Sequence, residues 1–368
     1  MSIPPLAGFV VAVTADRRAE EQVTLLRRRG ADVVVGPTVR TVPLVEDVGL
    51  SDAIDELVAR PPDVLVLLTG IGARGMFAAA ESTGRDTDLL EALRASTVIA
   101  RGPKAAGAAT TAGLDVSWLA RSERSSEILE HLRPAASEGA RIAVQRDGAV
   151  ASALIDGLRS LGTDVAEVPV YRWELPEDTR PATRLIDDVI DGEIDAVTFT
   201  SSPAVRHLFE IADASGRRAA LLGALLDRVA VACVGPVCAE TATSLGIAAP
   251  VVPHRARLGA MVQALVLHLE GRCRTITTNA GDLAIQGRAV FVHGERAPIA
   301  ARERSVLEVL ADAGGAVVPK RRLLRAVWGA SFDDQHAVEV AVARLRRGLG
   351  PAAAAVETVP RRGYRLAS

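Results

Sequence analysis

Cysteine and lysine are scarce in this chain, and long apolar runs are missing altogether. Its three cysteines, Cys233, Cys238 and Cys273, are too few and too irregularly spaced for a disulfide frame or a zinc site. No stretch of 18 uncharged apolar residues occurs, so neither a transmembrane helix nor a membrane partner is expected. Met1 to Pro5 lacks a basic segment ahead of an apolar one. No secretory leader is therefore expected, and the cytoplasm is the expected compartment. Lysine is confined to Lys104 and Lys320 beside abundant arginine, a bias that fits a GC-rich genome. What remains is a globular composition, 49% hydrophobic and 24% charged, over 368 residues, a length that suits two or three domains.

The net charge of −2 conceals a split. Residues 283–368 hold 14 Lys and Arg against 8 Asp and Glu, whereas residues 1–282 hold 29 against 37. A basic tail on an acidic body predicts that only the tail meets phosphate, although solvated surface charge can give a similar excess.

The first 282 residues repeat themselves at an offset of 132, slipping to 133. Leu26, Gly30, Asp32, Val33 and Pro37 recur as Leu158, Gly162, Asp164, Val165 and Pro169. Asp63, Arg74 and Phe77 recur as Asp195, Arg206 and Phe209, and Gly102, Pro103 and Gly113 as Gly235, Pro236 and Gly246. Chance matches would not stay collinear through glycines and prolines, whose backbone roles are specific.

Each repeat alternates short β-branched runs with longer helical ones. Strands are expected at Phe9–Val13, Asp32–Val35, Val64–Leu68 and Thr97–Ala100, then at Arg141–Gln145, Asp164–Val168, Ala196–Thr200 and Val229–Val234. Helices such as Glu20–Arg29 and Ala151–Leu161 close on a glycine that can take the left-handed C-cap conformation. The alternation predicts an α/β body of two flavodoxin-like parallel-sheet domains, joined near Val39–Pro43 and Val168–Trp173. A ligand cleft is expected between the halves, at the carboxyl ends of the strands.

Gly70-Ile71-Gly72-Ala73-Arg74-Gly75 matches the dinucleotide pattern GxGxxG. That fold needs an acidic residue ending the next strand, about 20 residues on. Here Asp86–Leu93 reads as helix, and the second repeat has Thr200-Ser201-Ser202-Pro203 at the same place. A tight strand-to-helix turn is the simpler reading. Thr69–Gly75 and Thr200–Pro203 form one pair of equivalent turns, and Gly102-Pro103-Lys104 and Gly235-Pro236-Val237 form another. Each opens a helix whose free N–H groups suit an anion, and four of them suit a polycarboxylate. Candidate ligand contacts are Thr69, Gly70, Thr200, Ser201, Ser202 and Gly235, with Arg74, Lys104, Arg146 and Arg206 as charge partners. The bland alternative is ordinary α/β connections carrying solvated basic residues.

The body resembles the uroporphyrinogen-III synthase family, which closes a linear tetrapyrrole with inversion of one ring. The resemblance covers Pro5–Leu269 and is carried by Asp195–Arg206, Val231–Pro236 and Val168–Arg172. It implies two α/β domains, one from residues 42–168 and a discontinuous one from residues 1–41 and 169–269. It also implies no metal or organic cofactor, a tetrapyrrole ligand, and Tyr171 as a catalytic candidate, although a connecting strand uses tyrosine for packing as readily. The family's threonines are replaced by Val237-Cys238 and Lys104-Ala105, and its Phe-Thr-Ser-x-Asn-Gly by Leu68-Thr69-Gly70-Ile71-Gly72-Ala73. Hydroxyls able to steer a leaving group are thus thinned out, which points to a sensor derived from an enzyme.

Residues 270–281 show no apolar periodicity and read as a linker. Residues 282–368 then give strands at Leu283–Ile285 and Ala289–Val292, helices at Arg302–Ala313, Lys320–Trp328 and His336–Leu349, and a hairpin over Glu357–Leu366. In the last helix Val338, Ala341, Val342, Leu345 and Leu349 make one apolar face. The other face offers His336, Val340, Ala343 and Arg347, flanked by Glu339, Arg344 and Arg346, as a helix reading a major groove would need. This region resembles the OmpR/PhoB-type winged helix-turn-helix domain through Arg302–Leu310, Leu323–Gly329, Val338–Arg347, Glu357–Val359 and Gly363–Leu366. Double-stranded DNA is the implied partner. Arg344 and Arg347 are the base-edge candidates, Arg361 and Arg362 the wing candidates, and Tyr364 serves either the wing core or DNA. Pro360-Arg361-Arg362 departs from the family's wing tip, which usually runs Arg-Gly and one more residue.

Relatives of this domain usually carry a phosphorylatable receiver, but Val13 to Arg17 does not supply the acidic pair that a receiver needs. The expectation is a one-component regulator whose synthase-like body senses a small molecule or a partner protein, with a partner transcription factor as a further candidate partner. The alternative is an active synthase with a DNA-binding appendage. Actinobacterial fusions of this layout are linked to nitrate and nitrite assimilation, which the resemblance implies here.

Overall fold

The structure, a computed structural model, describes residues 3–134, 136, 139–146 and 153–367. The chain divides into two compact units, Arg40–Glu174 on one hand and Met1–Val39 with Leu175–Ser368 on the other. The first flank supplies β1 (Val10–Val13), α1 (Ala19–Arg27) and β2 (Asp32–Val35). The middle unit runs β3 (Arg40–Pro43), α2 (Val48–Ala59), β4 (Val64–Leu67), α3 (Gly70–Ser82), α4 (Asp86–Leu93), β5 (Thr97–Ala100) and α5 (Pro103–Thr111). It continues with β6 (Val116–Leu119), α6 (Ser125–Leu132), β7 (Arg141–Gln145), α7 (Ala153–Ser160), β8 (Asp164–Val168) and β9 (Tyr171–Glu174). The first two residues of the helix expected at Ala151–Leu161 lie outside the described residues.

The middle unit is built on a five-stranded sheet, β6-β5-β4-β7-β8, with every pairing parallel. Val64-Leu65-Val66-Leu67 and Arg141–Gln145 are central and nearly continuously buried, because helices cover both faces of a parallel sheet. Tyr171 to Glu174 pairs antiparallel with Arg40 to Pro43, so the two ends of this unit form one short ladder.

The second flank adds α8 (Arg180–Ile190), β10 (Ala196–Phe199), α9 (Ser202–Ala214), α10 (Arg218–Asp227), β11 (Ala230–Cys233), α11 (Pro236–Ser244) and α12 (Leu258–Glu270). Its sheet is β11-β10-β1-β2, all parallel, with Val251 bridging Ala232 beyond β11. This order reproduces that of the middle sheet, with β10, β11, β1 and β2 standing for β4, β5, β7 and β8. One detail fixes the duplication. The Asp63 carboxylate, just before β4, accepts from the Arg141 N–H at 2.8 Å, and Asp195, just before β10, accepts from the Val10 N–H at 2.7 Å.

The C-terminal region comprises β12 (Arg274–Thr278), β13 (Gly281–Gln286), β14 (Ala289–Val292), β15 (Glu295–Ala297), α13 (Ala301–Asp312), α14 (Lys320–Trp328), α15 (His336–Leu349), β16 (Val356–Val359) and β17 (Gly363–Leu366). The first four strands form an antiparallel meander, and the last two form a hairpin. One core unites Leu283, Val306, Leu307, Leu323, Val338, Leu345, Leu349, Tyr364 and Leu366. The expected linker is corrected here, since Arg274 to Thr278 is an edge strand paired with β13. It carries three threonines and one apolar residue, so its β-propensity lies in branched polar side chains and leaves no apolar alternation to read. Among the described residues no helix is long and apolar enough to cross a membrane.

Candidate DNA-binding face and anion-binding turns

The face of α15 follows from its burial. Val338, Ala341, Val342, Leu345 and Leu349 are buried, which turns His336, Ala343, Arg344 and Arg347 to solvent and leaves Val340 half-buried. The Lys320 ammonium at the start of α14 donates to the Glu339 carboxylate, which fastens the front of α15 to the preceding helix. Arg344 lies 3.9 Å from the buried Glu303 of α13, too far for a hydrogen bond, and stays mostly exposed. Two basic side chains on the outer stripe, Arg344 and Arg347, therefore remain extended toward solvent.

Arg346 is different. Its guanidinium donates to Val356 O at 2.9 Å and Thr358 Oγ1 at 2.8 Å, and lies 5.9 Å from the Tyr364 ring centroid. It clasps the hairpin to α15, so its expected DNA contact is corrected to a structural one. Of the two readings of Tyr364 the structure favours the wing core, because its side chain is buried in the winged-helix core and not presented as a DNA contact. The hairpin loop Pro360-Arg361-Arg362 leaves Arg361 and Arg362 exposed, with Arg361 in the left-handed region at φ 60°. Arg362 N–H donates to Val359 O at 3.0 Å and closes the turn. Gly363 is required behind it. Its φ is 135°, and a Cβ there would stand 2.1 Å from Val318 O, which accepts from Tyr364 N–H.

In the middle unit, Thr69 caps α3, its hydroxyl accepting from Gly72 N–H at 3.0 Å. Thr69 N–H in turn donates to Oε1 of the fully buried Gln145. A Cβ on Gly70 would meet Lys104 O at 2.4 Å, and one on Gly72 would overlap the Gln145 amide at 2.0 Å. These two glycines let the starts of α3 and α5 and the end of β7 pack together, which explains the GxGxxG match without a dinucleotide. Arg74 and Lys104 are exposed, and Arg146 pairs with Glu167 at 3.2 Å. Tyr171 is buried, its ring edge-on to Trp173, and belongs to the core of this unit.

In the flanking unit, Ser201 caps α9 by accepting from Ala204 N–H at 3.4 Å, and Ser202 Oγ donates to Val237 O at 3.1 Å, joining the starts of α9 and α11. Thr200 is half-buried, Gly235 buried and Arg206 exposed. Val237 points outward, 59% exposed, while the Cys238 thiol turns inward toward Phe199 O. The adjacent Cys233 thiol and burial push the Cys238 pKa upward, so it stays a neutral thiol. Each unit thus sets two helix N-termini side by side with exposed cations nearby. Sequence reasoning missed Gln145; its only signal was a polar residue ending an apolar strand.

Comparisons with known proteins bear on both regions. Residues 20–263 match the family model of uroporphyrinogen-III synthase HemD, and residues 294–366 match that of the C-terminal transcriptional regulatory protein domain. A crystallised mutant uroporphyrinogen III synthase from the extremely thermophilic bacterium Thermus thermophilus is 30% identical, covers 71% of this chain and 99% of its own, and superposes with a TM-score of 0.59. A putative uroporphyrinogen-III synthase of Methanothermobacter thermautotrophicus is 38% identical over 168 residues, 46% of this chain and 65% of that protein. The transcriptional regulatory protein CutR of Streptomyces coelicolor is 42% identical over 80 residues, 22% of this chain and 36% of that protein.

Proposed function

The chain belongs to the uroporphyrinogen-III synthase family and carries a C-terminal transcriptional-regulator domain, and from that premise we propose a one-component regulator whose synthase-like body senses a tetrapyrrole. DNA binding is the first half of this reading. The observation that carries it is the α15 face, with Arg344 and Arg347 exposed opposite a buried apolar stripe. The protein works in the cytoplasm on double-stranded DNA, alone or beside a partner transcription factor, and its expected targets are nitrate and nitrite assimilation genes.

The ligand half rests on the helix N-termini capped by Thr69 and Ser201 and on those after Gly102 and Gly235. A carboxylate at an exposed helix N-terminus gains only about 0.3–1 kcal/mol, so several must act together and a ligand with few acids binds poorly. Chemistry is the weaker role, because Val237, Cys238 and Lys104 offer no hydroxyl where the family has threonine. Calorimetry tests the ordering, with uroporphyrin (eight carboxylates) expected to bind more tightly than coproporphyrin (four). Binding of neither removes the sensor reading. Turnover of preuroporphyrinogen at about 1–10³ s⁻¹ would make the body an enzyme instead.

A further inference from the structure

The flanking unit holds both the β10 sheet and the winged helix, and the tip of the β13–β14 hairpin lies against the base of that sheet. Two glycines make the approach possible. A Cβ on Gly8 would stand 2.4 Å from Gln286 O, and one on Gly287 would stand 2.4 Å from Gly8 O. Across this contact Arg288 N–H donates to Gly8 O at 2.7 Å, and the Gln286 side chain donates to Pro4 O at 2.8 Å. The Arg288 guanidinium then reaches the residues that lead into β10. It pairs with Glu193 at 2.7 Å, donates to Gly192 O, and lies 3.5 Å from Asp195. Asp195 and Arg288 are each more than three-quarters buried in their side chains, so the charges meet away from bulk water. Beside them lies a cavity of about 290 Å³ lined by Phe9, Asp195, Arg272, Arg274, Ile285 and Glu308.

We propose that the winged helix is docked on the synthase-like body rather than tethered to it, and that Arg288 is the latch that holds it there. The seam residues Gln286, Gly287 and Arg288 lie in the β13–β14 turn, whereas the candidate DNA contacts lie on α15 and in the β16–β17 loop. Docking and DNA contact therefore use different surfaces, and the reading head is carried in a fixed orientation with its DNA face free. β10 links the latch to the candidate ligand turn. Asp195 precedes it and the Ser201 cap lies beyond Thr200 at its far end, so the two stand at opposite ends of a strand about 13 Å long.

Hydrogen exchange on the full chain tests the latch directly. At the tip of a two-residue turn the Arg288 N–H has no partner within its own hairpin, and the one it has, Gly8 O, lies across the seam. In the wild-type protein this amide is expected to be strongly protected. In Arg288→Ala, protection at position 288 should fall about tenfold or more, because charge-assisted bonds are lost. Amides of Leu307 and Leu345 should not change, and affinity for an isolated DNA site should stay within about twofold, since phosphate and base contacts are untouched. An unprotected Arg288 amide in the wild-type protein, readable even if the variant fails to fold, would overturn docking. Undiminished protection in Arg288→Ala would remove Arg288 as the latch.

Discussion

Single side chains divide the arginines of the reading head into two kinds. Arg347 points to solvent on α15 and Arg361 sits at the hairpin tip, whereas Arg346 is spent on Val356 and Thr358. Arg347→Ala is expected to reduce discrimination between operator and random DNA by about 1–3 kcal/mol, the value of a bidentate guanine contact. Arg361→Ala should weaken both DNAs alike, as a lost phosphate contact does. Binding titrations on both sequences check this, and equal losses for Arg347→Ala would exclude it from base reading. Arg346→Ala should instead lower the winged-helix unfolding free energy by about 1–3 kcal/mol, from two hydrogen bonds made by a charged group. Urea denaturation measures it. The sequence showed three arginines in four positions of one helix; it could not show that the middle one lies within reach of hairpin acceptors, since that depends on how β16 returns over α15. Tyr364 was ambiguous for the same reason, as alternation in a short hairpin does not say which face meets the core.

At the scale of elements, repeated features report on how strands are pinned. Arg141, nearly buried at the start of β7, pairs with Glu56 and with Asp164 at the start of β8, each at 2.6 Å. The hydrogen bond from Arg141 holds the Asp164 carboxyl below its ordinary value of 3.8, with its charge and that of Arg60 adding to the effect. A carboxyl with a depressed folded-state pKa gives stability that is present above the unfolded value and lost as pH falls through the folded one. Stability of the wild-type chain should therefore decline as pH falls below about 4, and Asp164→Asn should be less stable at neutral pH with a shallower acid decline. Denaturation curves between neutral and acid pH check this; an unchanged acid slope would show that the pair contributes nothing. Regular elements were the most legible part of the chain. Central strands such as β4 and β7 have apolar runs that survive burial on both faces, so their periods were readable. β12 was not, because its inward face carries Ile276 as its one apolar residue and ends on a buried threonine, Thr278, so no apolar alternation encodes it.

For the whole molecule, the duplication was legible in collinear glycines and prolines, and the equivalent bonds of Asp63 and Asp195 give it a physical counterpart. The seam between body and head was not legible. Gly8 and Gly287 carry no pattern in sequence, and their need for glycine appears only when two backbones meet. The proposed DNA-reading surface is the separate basic face formed by α15 and the hairpin loop. It is tested most directly by titrating the full chain onto its own upstream DNA across a salt series, beside a variant with Arg344, Arg347, Arg361 and Arg362 all changed to alanine. The wild-type chain should bind with log affinity falling linearly with log salt, and the variant should bind weakly with a slope smaller by about 0.9 per phosphate contact removed. Binding by the variant with wild-type affinity and wild-type slope would place the DNA surface elsewhere and contradict the account.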